Sequence, residues 1–469
     1  MPRRGSFAYR GVFVVLLVVF AYVIIAPSIA SGVYASYGDV RAVLTALTAI
    51  LPPELRGPDQ TALDAAWSRW AVLHDREIRA RLERGDEDTI VNWLLFGTSF
   101  TSGPRVLFDA SPTDAARLLQ VVAARTQDLT TALQAPGTDE RRLFARQLLE
   151  RKGYHFETAA DRERVKDHLS AEVARVARET AGYARDLAEA RRLGDATEEF
   201  AARSRLFRTR GLSLDTTILP SVAIERSLAN LHTRGLVAAG SIREVAIVGP
   251  GLDFSDKSSG YDFYPQQTFQ PFAVIDSLVR LGLANRPAAL RVTTLDLSPR
   301  VNDHLTRMRQ RASRGLPYVL RLPFDTALAW KRDVTAYWNS AGDRIGTVTR
   351  GPDTPLVDKN VRIRAVSIPP RVALQIDPED VNIVVQRPMD RRFDLIIATN
   401  VFVYYDVLDQ ALAFSNIEAM LRPGGFLLSN NAVIELPESR LRSAGYLTVQ
   451  YSDRPDDGDH IVWYRRLPD

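Results

Sequence analysis

From Gly235–Gly240 onward, short runs rich in β-branched residues alternate with helical patterns, and this alternation constrains the chain more than any other feature. Strands separated by helix-length crossovers form a parallel sheet with helices on both faces. The spacing predicts strands at Glu244–Val248, Val292–Asp296, Val381–Val385, Phe393–Thr399 and Gly425–Asn430, with helices including Gln270–Leu283, Val301–Ala312 and Val407–Leu421 between them. Two further runs, Tyr446–Tyr451 and Ile461–Arg465, flank an Asp-Asp-Gly turn at Asp456–Gly458 and predict an antiparallel hairpin. Residues 236–469 therefore read as a doubly wound α/β domain ending in an antiparallel pair.

Two predicted strand ends carry residues suited to a ligand. The first runs Val245-Ala-Ile-Val-Gly-Pro-Gly251, so Gly249 and Gly251 stand where a strand hands over to a loop and backbone can approach a nucleotide closely. The second ends at Asp296, where a carboxylate can accept both hydroxyl protons of a ribose. The bland alternative makes Asp296 a helix N-cap, although Ser298, directly before Pro299, suits that task better.

Taken together, the motifs resemble the class I S-adenosylmethionine-dependent methyltransferases over roughly Ser241–Arg466. The residues that carry the resemblance are Val-Gly-Pro-Gly at 248–251, Asp296, Phe-Asp-Leu-Ile-Ile-Ala-Thr-Asn-Val at 393–401, Leu-Arg-Pro-Gly-Gly-Phe-Leu at 421–427, and the closing hairpin. Phe393–Tyr405, with the Pro-Gly-Gly turn, looks locally like the chemotaxis-receptor methyltransferases. The resemblance implies a Rossmann-like, seven-stranded sheet with a terminal antiparallel hairpin and S-adenosylmethionine as cofactor. It places cofactor contacts at Gly249, Pro250, Gly251, Asp296, Leu297 and Asn400. No catalytic residue is assigned: methyl transfer from a sulfonium is an in-line displacement in which positioning does much of the work. Asp262, Tyr264 and Glu435 are candidate bases, each with a surface or structural role as the alternative. Asn400 is equally explained as a cap for the next helix, and Tyr404 and Tyr405 as pocket walls or core aromatics.

The sequence departs from that pattern in two places. Leu252, Asp253 and Phe254 follow Gly251, so a third glycine is missing. Gly251 and Asp296 are also 45 positions apart by subtraction, against ~20 between fingerprint and acid in a compact dinucleotide unit. The excess is visible as Asp253–Phe269, polar and aromatic, which reads as a lid, a substrate wall or a surface loop.

The first half has a different character. Arg3, Arg4 and Arg10 precede the uncharged apolar run Gly11–Ala26, and Ser28 and Ala30 form a small-x-small site. Residues 1–35 thus fit a signal peptide cleaved after Ala30, or a membrane anchor spanning 11–30. The protein is then exported or held at a membrane by one N-terminal helix. The arginines favour a cytoplasmic N-terminus with the remainder translocated, which conflicts with a cofactor made in the cytoplasm. Residues 36–235 read as a mainly α-helical domain. Its longest periodic stretch carries Val165, Leu169, Val173, Val176, Tyr183 and Leu187 on one face, with Glu172, Arg175, Arg178, Glu179 and Arg185 opposite. That pattern fits a self-packed helical bundle, or a coiled-coil-type partner surface at 161–193.

Several chemistries are excluded by residue type and spacing. The chain has no cysteine, which removes disulfides, thiolate metal sites and cysteine nucleophiles. Its six histidines lack the close pairings of a zinc motif, so no metal site is expected. Of the +4 formal charge, three units come from the arginines ahead of the first acid, Asp39, leaving no specific nucleic-acid signal. Phosphate-loop and nucleophile-elbow motifs are absent.

Overall fold

The structure is a computed structural model that describes residues 30–57, 60–106, 115–193, 211–253, 260–284, 287–352, 359–454 and 457–468. The apolar run at 11–26 lies outside them. Among the described residues, no helix is long and apolar enough to cross a membrane.

The first half supplies two short strands, β1 (Ala30–Ser31) and β2 (Val33–Tyr34), then helices α1 (Tyr37–Ala46), α2 (Gln60–Phe96), α3 (Ala115–Gln134), α4 (Glu140–Arg151), α5 (Ala159–Leu193) and α6 (Leu219–Thr233). Ser36 and Asp39 start α1 as a reciprocal capping box, and Asp139 caps α4 through the amides of Arg141 and Arg142. The second half follows with β3 (Glu244–Val248), α7 (Gln270–Arg280), β4 (Arg291–Asp296), α8 (Pro299–Ser313), β5 (Tyr318–Asp325), α9 (Arg332–Ser340), β6 (Thr347–Thr349), β7 (Val361–Ile368), α10 (Pro370–Ala373) and β8 (Ile376–Asp380). The chain then runs through β9 (Gln386–Arg387), β10 (Phe393–Ala398), α11 (Val407–Met420), β11 (Leu421–Ser429), β12 (Leu441–Gln450) and β13 (Gly458–Arg466).

The main sheet has the order β1-β8-β4-β3-β10-β11-β13-β12. It is parallel except where β13 runs antiparallel to β11 and β12. Both faces are buried, as the near-continuous apolar strands require. Val245, Ile247, Leu395, Ile397, Phe426 and Leu428 join one core with α6, α7 and α8. Their alternates Ala246, Val248, Ile396, Ala398 and Leu427 join another with α1, α11 and the start of α2. Asp394 pins the register: its carboxylate accepts the amides of Arg243 and Glu244 at the foot of β3 and pairs with Arg422.

Helix α2 is 37 residues long, about 55 Å at the usual rise, and serves two cores. Trp67, Trp70, Ala71 and Ile78 pack beneath the sheet, whereas Ile90, Val91, Trp93, Leu94 and Leu95 form a separate helical core with α3, α4 and α5. In α5, Val165 and Leu169 are buried there and Val173 and Val176 lie against it, so the first half of the periodic stripe is internal packing. Within that core Arg125 is buried and donates to the carbonyls of Leu94, Gly97, Gly103 and Pro104, fastening the turn after α2.

The predicted strands match β3, β4, β10 and β11 closely, and the hairpin is β12–β13. One expectation is corrected. Val381–Val385 is a buried turn and the strand is the preceding Ile376–Asp380. Asn382 accounts for this, because its Oδ1 accepts the Val384 amide while Gln386 Oε1 accepts its own. The run is apolar because it is buried, not because it is extended. A second sheet, β5-β7-β6, is inserted between β4 and β8.

Candidate functional site

Strands β3 and β4 run parallel with Val248 opposite Leu295, which sets Gly249 and Asp296 side by side at the C-terminal edge of the sheet. The Gly249 amide extends the ladder to the Leu295 carbonyl at 2.9 Å. Gly249 has φ 63°, and a Cβ there would stand 3.1 Å from Val401 Cγ2, so conformation and space both favour glycine. At the neighbouring tip Asn400 is left-handed with φ 58°. Its amide N–H donates to Asn430 Oδ1 at 2.8 Å, and Asn430 Nδ2 donates back to Asn400 Oδ1 at 2.6 Å. The cap of α11 is Asp406 rather than Asn400.

These tips surround a cavity of about 70 Å³ lined by Gly249, Asp296, Leu297, Asn400, Val381, Ile383, Tyr404 and Tyr405, among others. Its walls are mostly apolar, and among the described residues that line it the one carboxylate is Asp296. Asp296 is 5% exposed; its Oδ1 accepts the Ser298 amide at 2.8 Å, and no hydrogen bond reaches Oδ2 among the described residues. Burial pushes the carboxyl up to about 7 and the nearby Asp380 adds to this, while the Ser298 amide, Arg300 and Arg79 oppose it. A carboxylate so poor in donors favours a ligand that brings hydroxyl groups to it. Behind it Arg79 of α2 bonds Asp75 at 2.9 Å, Asp380 at 2.8 Å and the Leu297 carbonyl at 3.0 Å, fixing the helix to the floor of the site.

Four of the six residues singled out from sequence, Gly249, Asp296, Leu297 and Asn400, line the cavity. Pro250 and Gly251 are buried but are not among the lining residues. A Cβ on Gly251 would lie 2.7 Å from the Leu214 carbonyl oxygen. The Leu252 amide donates to that oxygen at 2.8 Å and its side chain is fully buried, while Asp253, at the place of the third glycine in a Gly-x-Gly-x-Gly loop, is buried with its carboxylate accepting from Tyr264 and Gln267. Leu82, Leu212, Ser213 and Leu214 also line the cavity; no local signal in the sequence marks them, because they reach the site from the helical half. Val381 and Ile383 reach it from the buried turn after β8. Tyr405 is buried and Tyr404 half-buried, with the Tyr404 carbonyl held by Arg81 at 2.9 Å.

The candidate bases lie elsewhere. Asp262 is buried and accepts from Trp93, Thr98 and Ser99 of the helical half, Tyr264 donates to Asp253 at 2.8 Å, and Glu435 accepts the Ser443 amide at 2.9 Å. The described part of the 253–269 insertion is therefore a clamp between the two halves, away from the cavity lining.

No family model and no curated protein matches the chain. Solved structures similar to it include the N-methyltransferase NodS from Bradyrhizobium japonicum WM9, at 15% identity over 52% of this chain and 97% of that one, with a TM-score of 0.27. Another is the glycopeptide N-methyltransferase MtfA complexed with S-adenosylmethionine, at 15% identity over 55% and 70%, with a TM-score of 0.23. A third is the magnesium protoporphyrin IX methyltransferase ChlM from Synechocystis PCC 6803 with S-adenosylmethionine bound, at 11% identity over 58% and 84%, with a TM-score of 0.24. By strand order and direction the C-terminal half is a doubly wound α/β sheet closed by an antiparallel hairpin, the architecture that the sequence resemblance implied.

Proposed function

We propose that this chain is an S-adenosylmethionine-dependent methyltransferase whose nucleoside site is the cavity between Gly249, Asp296 and Asn400. One observation carries the reading: Asp296 stands at a strand tip beside the glycine loop, with one carboxylate oxygen that receives no donor among the described residues, in a mostly apolar slot. In this reading Asp296 takes the ribose hydroxyls, Leu297, Val381 and Ile383 cover the base, and Gly249 lets backbone approach. When bound, the cofactor supplies an electrophilic methyl group, and the chain's own task is to orient it and exclude water. Residues 11–30 as a signal or anchor belong to the same reading; a reporter fused after Asp469 tests which side of a membrane the domain occupies.

S-adenosylhomocysteine binding to the full chain, measured by calorimetry, tests the assignment. Asp296→Ala is expected to weaken binding at least tenfold, and equal affinity in that variant refutes it. A second reading, a methyltransferase-fold binding or scaffold protein that acts through its helical half, is favoured by the cavity's size: about 70 Å³, against roughly 300–1,000 Å³ for small-molecule pockets. Transfer of labelled methyl groups to any component of a cell extract would exclude that reading.

A further inference from the structure

We infer that the segment from Gly211 to Thr216 is an autoinhibitory strap, closing the cleft above Gly249 and Asp296, and that a nucleoside-bearing ligand enters only when the strap withdraws from the glycine loop. The inference rests on the cofactor reading above and adds a closed state to it.

Three sets of contacts hold the strap in place. Its side chains wall the slot: Leu212 and Leu214 are 6% and 8% exposed, both line the cavity, and they belong to the cores on opposite faces of the sheet. Its backbone pairs with the glycine loop, where the Leu214 carbonyl accepts the Leu252 amide at 2.8 Å and the Thr216 amide reaches the Leu252 carbonyl at 3.3 Å. Its other edge is tied to α2: the Leu212 amide donates to the Arg81 carbonyl at 3.1 Å, and the Asp215 carboxylate accepts from Thr89 at 3.1 Å and Asn92 at 3.5 Å.

The strap thus occupies the groups that a nucleoside site needs. Two leucines wall off the volume, the Leu252 N–H beside the glycine loop is spent on Leu214, and among the described residues Asp296 Oδ2 has no donor. The last is a cost that ligand hydroxyls would remove and the strap does not. The hydrogen bonds among these fastenings are individually weak enough to exchange. Apparent affinity then scales with the fraction of molecules whose strap is withdrawn, so loosening its tie to α2 strengthens binding without touching the cleft. Because that tie runs through α2, whose far end builds the helical core, the helical half has a direct handle on the site.

The test uses the full chain with S-adenosylhomocysteine as probe, comparing wild type with Asp215→Ala by calorimetry and stopped-flow. The variant is expected to bind at least fivefold more tightly and to associate faster by a similar factor. Amide exchange on the wild type supplies a readout independent of the variant's folding: the Leu212, Thr216 and Leu252 amides should lose protection on saturation while Val245–Val248 do not change. Binding of equal or lower affinity in Asp215→Ala, with those three amides kept or further protected, overturns the strap and leaves the cofactor reading standing. An absence of binding in both proteins overturns both.

Discussion

Gly85 and Gly211 face each other where α2 meets the strap: a methyl group on Gly85 would collide with the Leu212 carbonyl, and one on Gly211 with the backbone of Arg84 and Gly85. The obstacles are backbone, which cannot rotate aside. Gly85→Ala and Gly211→Ala should each cost about 2–3 kcal/mol, as overpacking does, and lower Tm by several degrees in thermal denaturation. Gly38→Ala is the control, since a Cβ in α1 would meet only Ser36 Oγ at 3.6 Å and alanine is the better helix former. Equal effects in all three would show that α2 and the strap are not in close contact.

Asp296 sets a pH dependence whose sign is fixed by burial. With its carboxyl raised from 3.8 to about 7, the folded state holds a proton that the unfolded chain releases between those values. The site therefore costs stability as pH rises through that window, by roughly 4 kcal/mol at most at 1.36 kcal/mol per unit. Asp296→Asn, which can still accept the Ser298 amide, should raise Tm at pH 8 and leave it nearly unchanged below pH 4. Ligand binding runs the other way: hydroxyl donors favour the ionised carboxylate, so S-adenosylhomocysteine affinity should climb about tenfold per unit below pH 7 and level off above it. A flat profile in the wild type would show that Asp296 does not receive the ligand.

The contrast between what the residues reveal and what they conceal is physical. Strands β3, β10 and β11 were legible because alternate residues feed two cores and both sets are apolar. Strand β8 was not, since its sequence Ile-Asp-Pro-Glu-Asp holds a proline and three acids, and the apolar run after it serves a buried turn. Gly249, Asp296 and Asn400 were legible because strand tips announce themselves by a change of residue type. The strap was not: Leu212-Ser213-Leu214 has no periodic signature, and its role arises from contacts with Arg81 and Leu252, far away in the chain.

Asp262 joins the two halves, and its removal should separate them. The carboxylate is 2% exposed and accepts from Trp93 Nε1, from the Thr98 and Ser99 amides, and from both of their hydroxyls. Asp262→Ala leaves these donors in a buried space at a cost of about 3 kcal/mol or more. Trp93 indole exchange should accelerate and Tm should fall. The Asn variant, which keeps one acceptor oxygen, should recover part of the loss, whereas equal stability of wild type and Asp262→Ala would show that the clamp contributes nothing.

His74 and Asp409 make another long-range polar contact, Nε2 to Oδ1 at 2.6 Å, with the imidazole stacked on Trp70 at 4.3 Å. Burial alone would lower the His74 pKa, but the bond and charge of Asp409, helped by Glu77, outweigh it and raise the value above 6.5. A group shifted this way contributes stability that is fully present below pH 6.5 and is lost as pH rises through the folded-state value. Replacing Asp409 by asparagine removes the opposing charge and leaves the desolvation, which reverses the balance. In Asp409→Asn the imidazole should therefore titrate below 6.5, and NMR titration of the His74 ring protons in both proteins measures the crossing directly. A His74 value that stays above 6.5 in the variant would place the cause of the shift outside this pair.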